Sequence, residues 1–198
     1  MPTYDAPVRE LSFLLHEVLD VAHAPIKGYD ALEPDLTHAI LDEAGKLASG
    51  VLAPLNQVGD RQGCVLENGV VRTPAGFVEG YREIASGGWV GISADPAYGG
   101  MGLPIALTSC VNDMMGSACL ALQLNPLLTQ GQIEALEHHA SDALKAIYLP
   151  KLISGDWNGT MNLTEPQAGS DVGALRTKAE PNGDGTYAIT GQKIYISW

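Results

Sequence analysis

Met161-Asn162-Leu163-Thr164-Glu165-Pro166-Gln167-Ala168-Gly169-Ser170-Asp171 is the stretch on which the reading of this chain turns. It opens as a β-type run, Thr160 to Leu163, and passes into a tight loop in which Pro166 fixes φ. The small residues Ala168, Gly169 and Ser170 let backbone N–H groups converge, with the Ser170 hydroxyl as a further donor, and that describes a small anion-binding nest. An ordinary strand-ending turn, in which Asp171 accepts local backbone bonds, accounts for the same residues. Both readings stay open on the residues alone.

Downstream, further short β-type runs follow at Leu175 to Ala179, Thr186 to Thr190 and Lys193 to Trp198. Gly183-Asp184-Gly185 predicts a hairpin, because two glycines can take positive φ, and Gly191-Gln192 predicts the next bend. The chain closes inside an apolar run, Ile194-Tyr195-Ile196-Ser197-Trp198, whose unpaired edge is the expectation for a fragment of a longer protein.

Upstream the period is helical. Val8, Leu11, Leu14, Leu15, Val18, Leu19 and Ala22 recur at three- and four-residue steps and predict one amphipathic helix over 8–22. Pro34-Asp35 predicts a second start, with Leu36, Ile40, Ala44, Leu47 and Val51 carrying the stripe until Pro54 interrupts it. Residues 56–72 are polar and glycine-containing, and Thr73-Pro74 predicts a cap for a short helix through Phe77, Tyr81 and Ile84. Glycine-rich punctuation brackets Trp89, Val90 and Ile92, which are expected to pack. Residues 104–124 are apolar nearly all round with Asp113 as the one formal charge, which predicts an enclosed helix closed by Pro126. A membrane span competes, but Asn112, Asp113 and Gln123 would be costly in lipid, so no transmembrane segment is expected. Helices over 127–138 and 141–153 follow, the latter capped by Ser141.

The predicted fold class is therefore α+β. A helical bundle leads into the start of an antiparallel β domain, and the change of character comes near Gly155. The predicted organisation is an N-terminal extension over 1–34, a helical domain over 35–154 and the first strands of a β domain over 155–198.

Of the 198 residues, 45% are hydrophobic, enough for a sizeable core. Eleven basic against 23 acidic side chains give a net charge of −12, which disfavours nucleic acid as a partner. Cys64, Cys110 and Cys119 match neither a zinc site nor a C-x-x-C pair and read as free thiols. The opening MPTYDAPVRE has the layout of neither a secretory nor an organellar signal, so a cytoplasmic location is expected. His138-His139 are adjacent on a predicted helix, point apart, and read as two solvated histidines rather than a metal pair.

The blocks T-E-P-Q-A-G-S-D at 164–171, T-K-A-E at 177–180 and D-G-T-Y-A-I-T-G-Q-K-I-Y-I-S at 184–197 resemble the flavin-binding signature of the acyl-CoA dehydrogenase family. The 96–102 loop and the helices before it resemble that family's N-terminal domain. Tyr4, Ala6, Pro7, Arg9 and Glu10, with Phe13, Leu15, Glu17, Val18 and Leu19, resemble the extra N-terminal segment of a subgroup that includes methylthiopropanoyl-CoA dehydrogenases.

The resemblance implies FAD as cofactor, an acyl-CoA substrate, an electron-transfer flavoprotein or similar acceptor, and a homo-oligomer. It implies that Met161, Asn162, Leu163 and Thr164 line the isoalloxazine, and that Gly169 and Ser170 sit by the pyrophosphate, with Ser170 also at the CoA entry. It further implies that Tyr195, Ile196 and Ser197 form the second flavin-facing block, with Ser197 near N5 and Tyr195 in place of the commoner tryptophan. The reaction implied is α-proton removal coupled to hydride transfer from Cβ to flavin N5, giving the trans-2-enoyl-CoA. The family's base is a glutamate in a C-terminal helical domain absent from these residues, so no catalytic residue is assigned here and the fragment is expected to be inactive alone. Glu165 belongs to the loop architecture rather than to catalysis. Arg176, Lys178 and Lys193 are either phosphate contacts or solvated strand ends. A related acyl-CoA oxidase or flavin monooxygenase, and a non-catalytic acyl-binding or scaffolding module, are the rival functions.

Overall fold

The computed structural model describes residues 4–198, so residues 1–3 of the expected N-terminal extension lie outside it. The chain divides into two compact units, one ending at Gly159 and the other spanning Thr160–Trp198.

The first unit is helical, apart from one small hairpin, and is built on α5, Ile105–His139. Leu107, Val111, Met114, Met115, Ala118 and Leu122 of α5 are buried among residues of α2 (Pro34–Leu47), α4 (Phe77–Ser86) and α6 (Asp142–Ile153). α5 is also long and apolar enough to cross a membrane by length and composition. Its buried stripe packs here on the neighbouring helices instead.

The expectation that Pro126 closes this helix is wrong. The break comes at Cys119, with φ −156° and ψ 83°, and helical backbone resumes and carries Pro126 within it to His139. The halves are tied across the break by side-chain amides: Gln123 Nε2 donates to Asn112 Oδ1 at 2.9 Å, and Asn112 Nδ2 donates to Gln130 Oε1 at 2.8 Å. Gln130 Nε2 then reaches the Trp89 carbonyl at 3.0 Å. The segment expected over 127–138 is thus the second half of α5. Ser141 caps α6 as expected, its hydroxyl accepting from the Leu144 N–H at 3.5 Å.

Pro54 does not end the second helix either. α2 runs through a π-helical turn, Ala48–Leu52, into α3, Ala53–Gln62, so helical backbone passes through Pro54, with the wider π turn directly before the proline. Gly63, at φ 62°, closes it. The polar stretch after it contains an antiparallel hairpin, β1 (Val65–Glu67) with β2 (Val70–Arg72), turned by Asn68 and Gly69, both at positive φ. Thr73 does not cap α4: Gly76, at φ 83°, sets the entry, with Leu55 packed where a Cβ would stand. The first predicted helix is α1, Val8–Phe13, continued by a π-helical turn to Val18, and it leaves Phe13, Leu14, Val18 and Leu19 exposed with Leu15 buried. Val90 and Ile92 are buried and Trp89 is partly buried, as expected.

The loop after Ile92 is tied to itself by backbone bonds, Met101 N–H to Gly91 O at 2.9 Å and Gly102 N–H to Ala94 O at 2.9 Å. A Cβ on Gly100 would meet the Ala94 carbonyl, a backbone group that cannot swing away. Gly100→Ala is expected to lower the unfolding free energy by about 2 kcal/mol, whereas Gly131→Ala, in open helical space, should raise it by up to about 1 kcal/mol. Urea titration of the two variants beside the parent checks both signs.

Candidate functional site

The second unit contains one regular ladder. β3 (Lys178–Pro181) pairs antiparallel with β4 (Tyr187–Thr190), from Lys178 opposite Thr190 to Pro181 opposite Tyr187. Gly183 and Gly185 take φ 84° and 88° in the predicted turn, and Asp184 Oδ1 accepts from the Thr186 N–H at 2.9 Å.

The runs expected as strands at 160–163 and 193–198 are not strands. A strand exists through its ladder, and a single backbone bond joins the two segments, Ile194 N–H to Thr164 O at 3.0 Å. Tyr195 then takes φ 56°, a left-handed conformation that ends extended backbone there.

The loop between them is built around Glu165, which is 3% exposed. Reciprocal backbone bonds between Glu165 and Ala168, at 2.9 and 3.0 Å, close the turn over Pro166 and Gln167. The buried carboxylate accepts the Arg176 N–H at 2.8 Å and the Thr177 N–H at 3.0 Å. It also accepts Gln167 Nε2 at 2.6 Å and Lys193 Nζ at 2.9 Å. The Thr177 hydroxyl and the Lys193 ammonium, with the Arg176 N–H, hold the carboxyl well below the usual glutamate range. The Thr177 hydroxyl itself makes no hydrogen bond among the described residues. The anchoring rests on the Arg176 and Thr177 N–H groups, the Gln167 amide and the Lys193 ammonium. An ionised carboxylate with four donors is a poor proton acceptor.

Both readings of the 168–171 loop find something here. Asp171 Oδ1 accepts the Gly173 N–H at 3.1 Å and caps the 3₁₀ turn Val172–Ala174, as an ordinary turn would have it. The Ala168 N–H is already bonded to Glu165 O and so cannot join a nest. The N–H groups of Gly169 and Ser170 have no acceptor among the described residues, and both residues are exposed.

Of the other predicted cofactor residues, Met161 is 63% and Tyr195 89% exposed, and Asn162, Leu163, Ile196 and Ser197 are exposed as well. Thr164 is half-buried. Asn162 Oδ1 accepts the Thr160 hydroxyl at 2.9 Å. Lys193 is neither of the things expected of it: its ammonium is spent on Glu165 and on the Leu163 carbonyl, at 2.9 Å each. Arg176 and Lys178 form no ion pair among the described residues.

The first unit holds a separate cleft of about 410 Å³ beside the α5 break, walled by Val90, Leu103, Leu127, Asn112, Gln130 and His138. The His138 and His139 rings lie 6.2 Å apart and tilted by 56°. No group of three or more metal-ligating side chains occurs among the described residues.

Residues 35–156 match the acyl-CoA dehydrogenase N-terminal domain. The chain is 44% identical over 197 residues to 3-methylmercaptopropionyl-CoA dehydrogenase of Ruegeria pomeroyi, covering 99% of this chain and 34% of that protein. It thus spans about a third of that relative's length. Among solved structures it resembles butyryl-CoA dehydrogenase from Megasphaera elsdenii, with TM-score 0.69 and 25% identity over 82% of this chain and 40% of that one. It also resembles PigA solved as an FAD complex, with TM-score 0.68 and 24% identity over 82% and 40%.

Because the folded Glu165 carboxyl is depressed, the stability it lends is complete above the unfolded glutamate value of about 4.3 and is lost only as pH falls through the lower folded value. A carbon-detected NMR titration is expected to find Glu165 still ionised one pH unit below that unfolded value. A midpoint at or above it would contradict the four-donor description.

Proposed function

The chain belongs to the acyl-CoA dehydrogenase family, and from that premise we propose that the polypeptide carrying it is an FAD-dependent enzyme oxidising an acyl-CoA thioester between Cα and Cβ to the trans-2-enoyl-CoA. The observation that carries the reading is chemical fit within the second unit. Exposed apolar Met161, Leu163, Tyr195 and Ile196 accompany unsatisfied N–H groups at Gly169 and Ser170, a combination suited to an aromatic ring that bears an anionic tail.

When bound, FAD supplies the acceptor for the hydride leaving Cβ. Met161, Leu163, Tyr195 and Ile196 would pack on the ring, while Asn162, Thr164 and Ser197 offer an amide and two hydroxyls to its polar edges. Gly169 and Ser170 would hold phosphate oxygens, with Ser170 also bordering the CoA. The apolar side chains exclude water and so strengthen each of these hydrogen bonds. The α-proton base belongs, on this reading, to a part of the protein beyond these residues, since Glu165 is saturated with donors. An electron-transfer flavoprotein or similar carrier reoxidises the enzyme, and a cytoplasmic homo-oligomer completes the proposal.

Anaerobic addition of a saturated acyl-CoA to the purified, FAD-loaded full-length polypeptide is expected to bleach the visible flavin band and yield the enoyl-CoA, while residues 1–198 alone should give no bleaching. Gly169→Val should raise the FAD dissociation constant about ten-fold or more by obstructing approach to the N–H groups. A preparation that takes up FAD but is never bleached by any acyl-CoA would overturn the assignment.

A further inference from the structure

We infer that Lys193 and Glu165 form a positioning clasp that sets the spacing of the 161–164 and 194–197 segments, and with it the surface presented to the flavin; this rests on the FAD reading above. The two segments share no ladder. Consecutive residues of one grip consecutive carbonyls of the other: Lys193 Nζ bonds Leu163 O at 2.9 Å, and Ile194 N–H bonds Thr164 O at 3.0 Å. These, with the Lys193 to Glu165 ion pair at 2.9 Å, are the bonds that join the segments among the described residues.

The clasp is braced from a third side. Glu165 also takes the Arg176 and Thr177 N–H groups, so the entry to the β3–β4 hairpin is fixed to the same carboxylate. Immediately beyond Ile194 the chain turns left-handed at Tyr195. The direction in which Tyr195, Ile196 and Ser197 leave is therefore set one residue after the grip. Lys193 is suited to the task because a compact ammonium with three donors can serve a carboxylate and a carbonyl at once.

The test uses the FAD-loaded protein with E165Q, K193M and the E165Q/K193M double variant. The double variant removes both charges and guards against a single variant failing to fold around an uncompensated buried charge. If the clasp positions the flavin surface, the FAD dissociation constant rises about ten-fold in each single variant, and the double is no worse than the more affected single, because the pair acts as a unit. In the cofactor-free protein, exchange of the Ile194 amide hydrogen accelerates about ten-fold in the same variants. A merely stabilising role would lower the melting temperature and leave both quantities within about two-fold of the parent, which overturns the proposal. A parent protein that takes up no FAD overturns the cofactor reading and with it the flavin half of this one; Ile194 exchange, which needs no cofactor, then still decides whether the clasp exists.

Discussion

The second unit depends on one buried carboxylate. Glu165 gathers four donors from three places in the sequence, Gln167, the Arg176-Thr177 pair and Lys193. Such a group is costly to bury unless every lone pair is used. Using them forces the loop, the hairpin entry and the last segment into one arrangement. Among the described residues Glu165 and Ala168 are the buried ones there, so polar saturation rather than apolar packing defines the local structure.

The helical unit is organised the other way round. Its core is largely aliphatic and continuous, and the break in α5 at Cys119 is bridged by amides. Gln123, Asn112 and Gln130 form a chain that ends on the Trp89 carbonyl, so the break and the glycine-rich loop are tied to each other. The cleft lies along this chain, and Glu134, Glu137 and His138 line it beside Asn112 and Gln130.

Much of this was legible in the residues. The Ser141 cap and the 183–185 turn follow from local rules and stand, whereas the first stripe stops at Val18 short of Ala22, and the buried face of α2 runs through Thr37, Leu41 and Ala44 while Leu36 is exposed. The failures share a cause. Pro54 and Pro126 read as terminators because proline removes a donor, yet helical backbone passes through both, Pro54 directly after a π-helical turn and Pro126 beyond the break at Cys119. Asn68-Gly69 between Val-Leu-Glu and Val-Val-Arg carried a hairpin signal that the polar composition around it obscured. The partnership of Glu165 with Lys193 spans 28 residues and leaves no local trace. The segments that face outward, from Met161 and from Tyr195, looked like strands because they are apolar and alternating, a pattern that reports what a surface will meet and not whether a ladder forms.

A unit with so little apolar surface withdrawn from water has an unusual thermal signature. Unfolding Thr160–Trp198 would expose little new hydrocarbon, so the accompanying heat-capacity change is small and the stability curve of that unit is flat. Cooling would weaken it less than it weakens the helical unit, whose aliphatic core carries the opposite balance. The two halves of one polypeptide thus answer temperature by different laws.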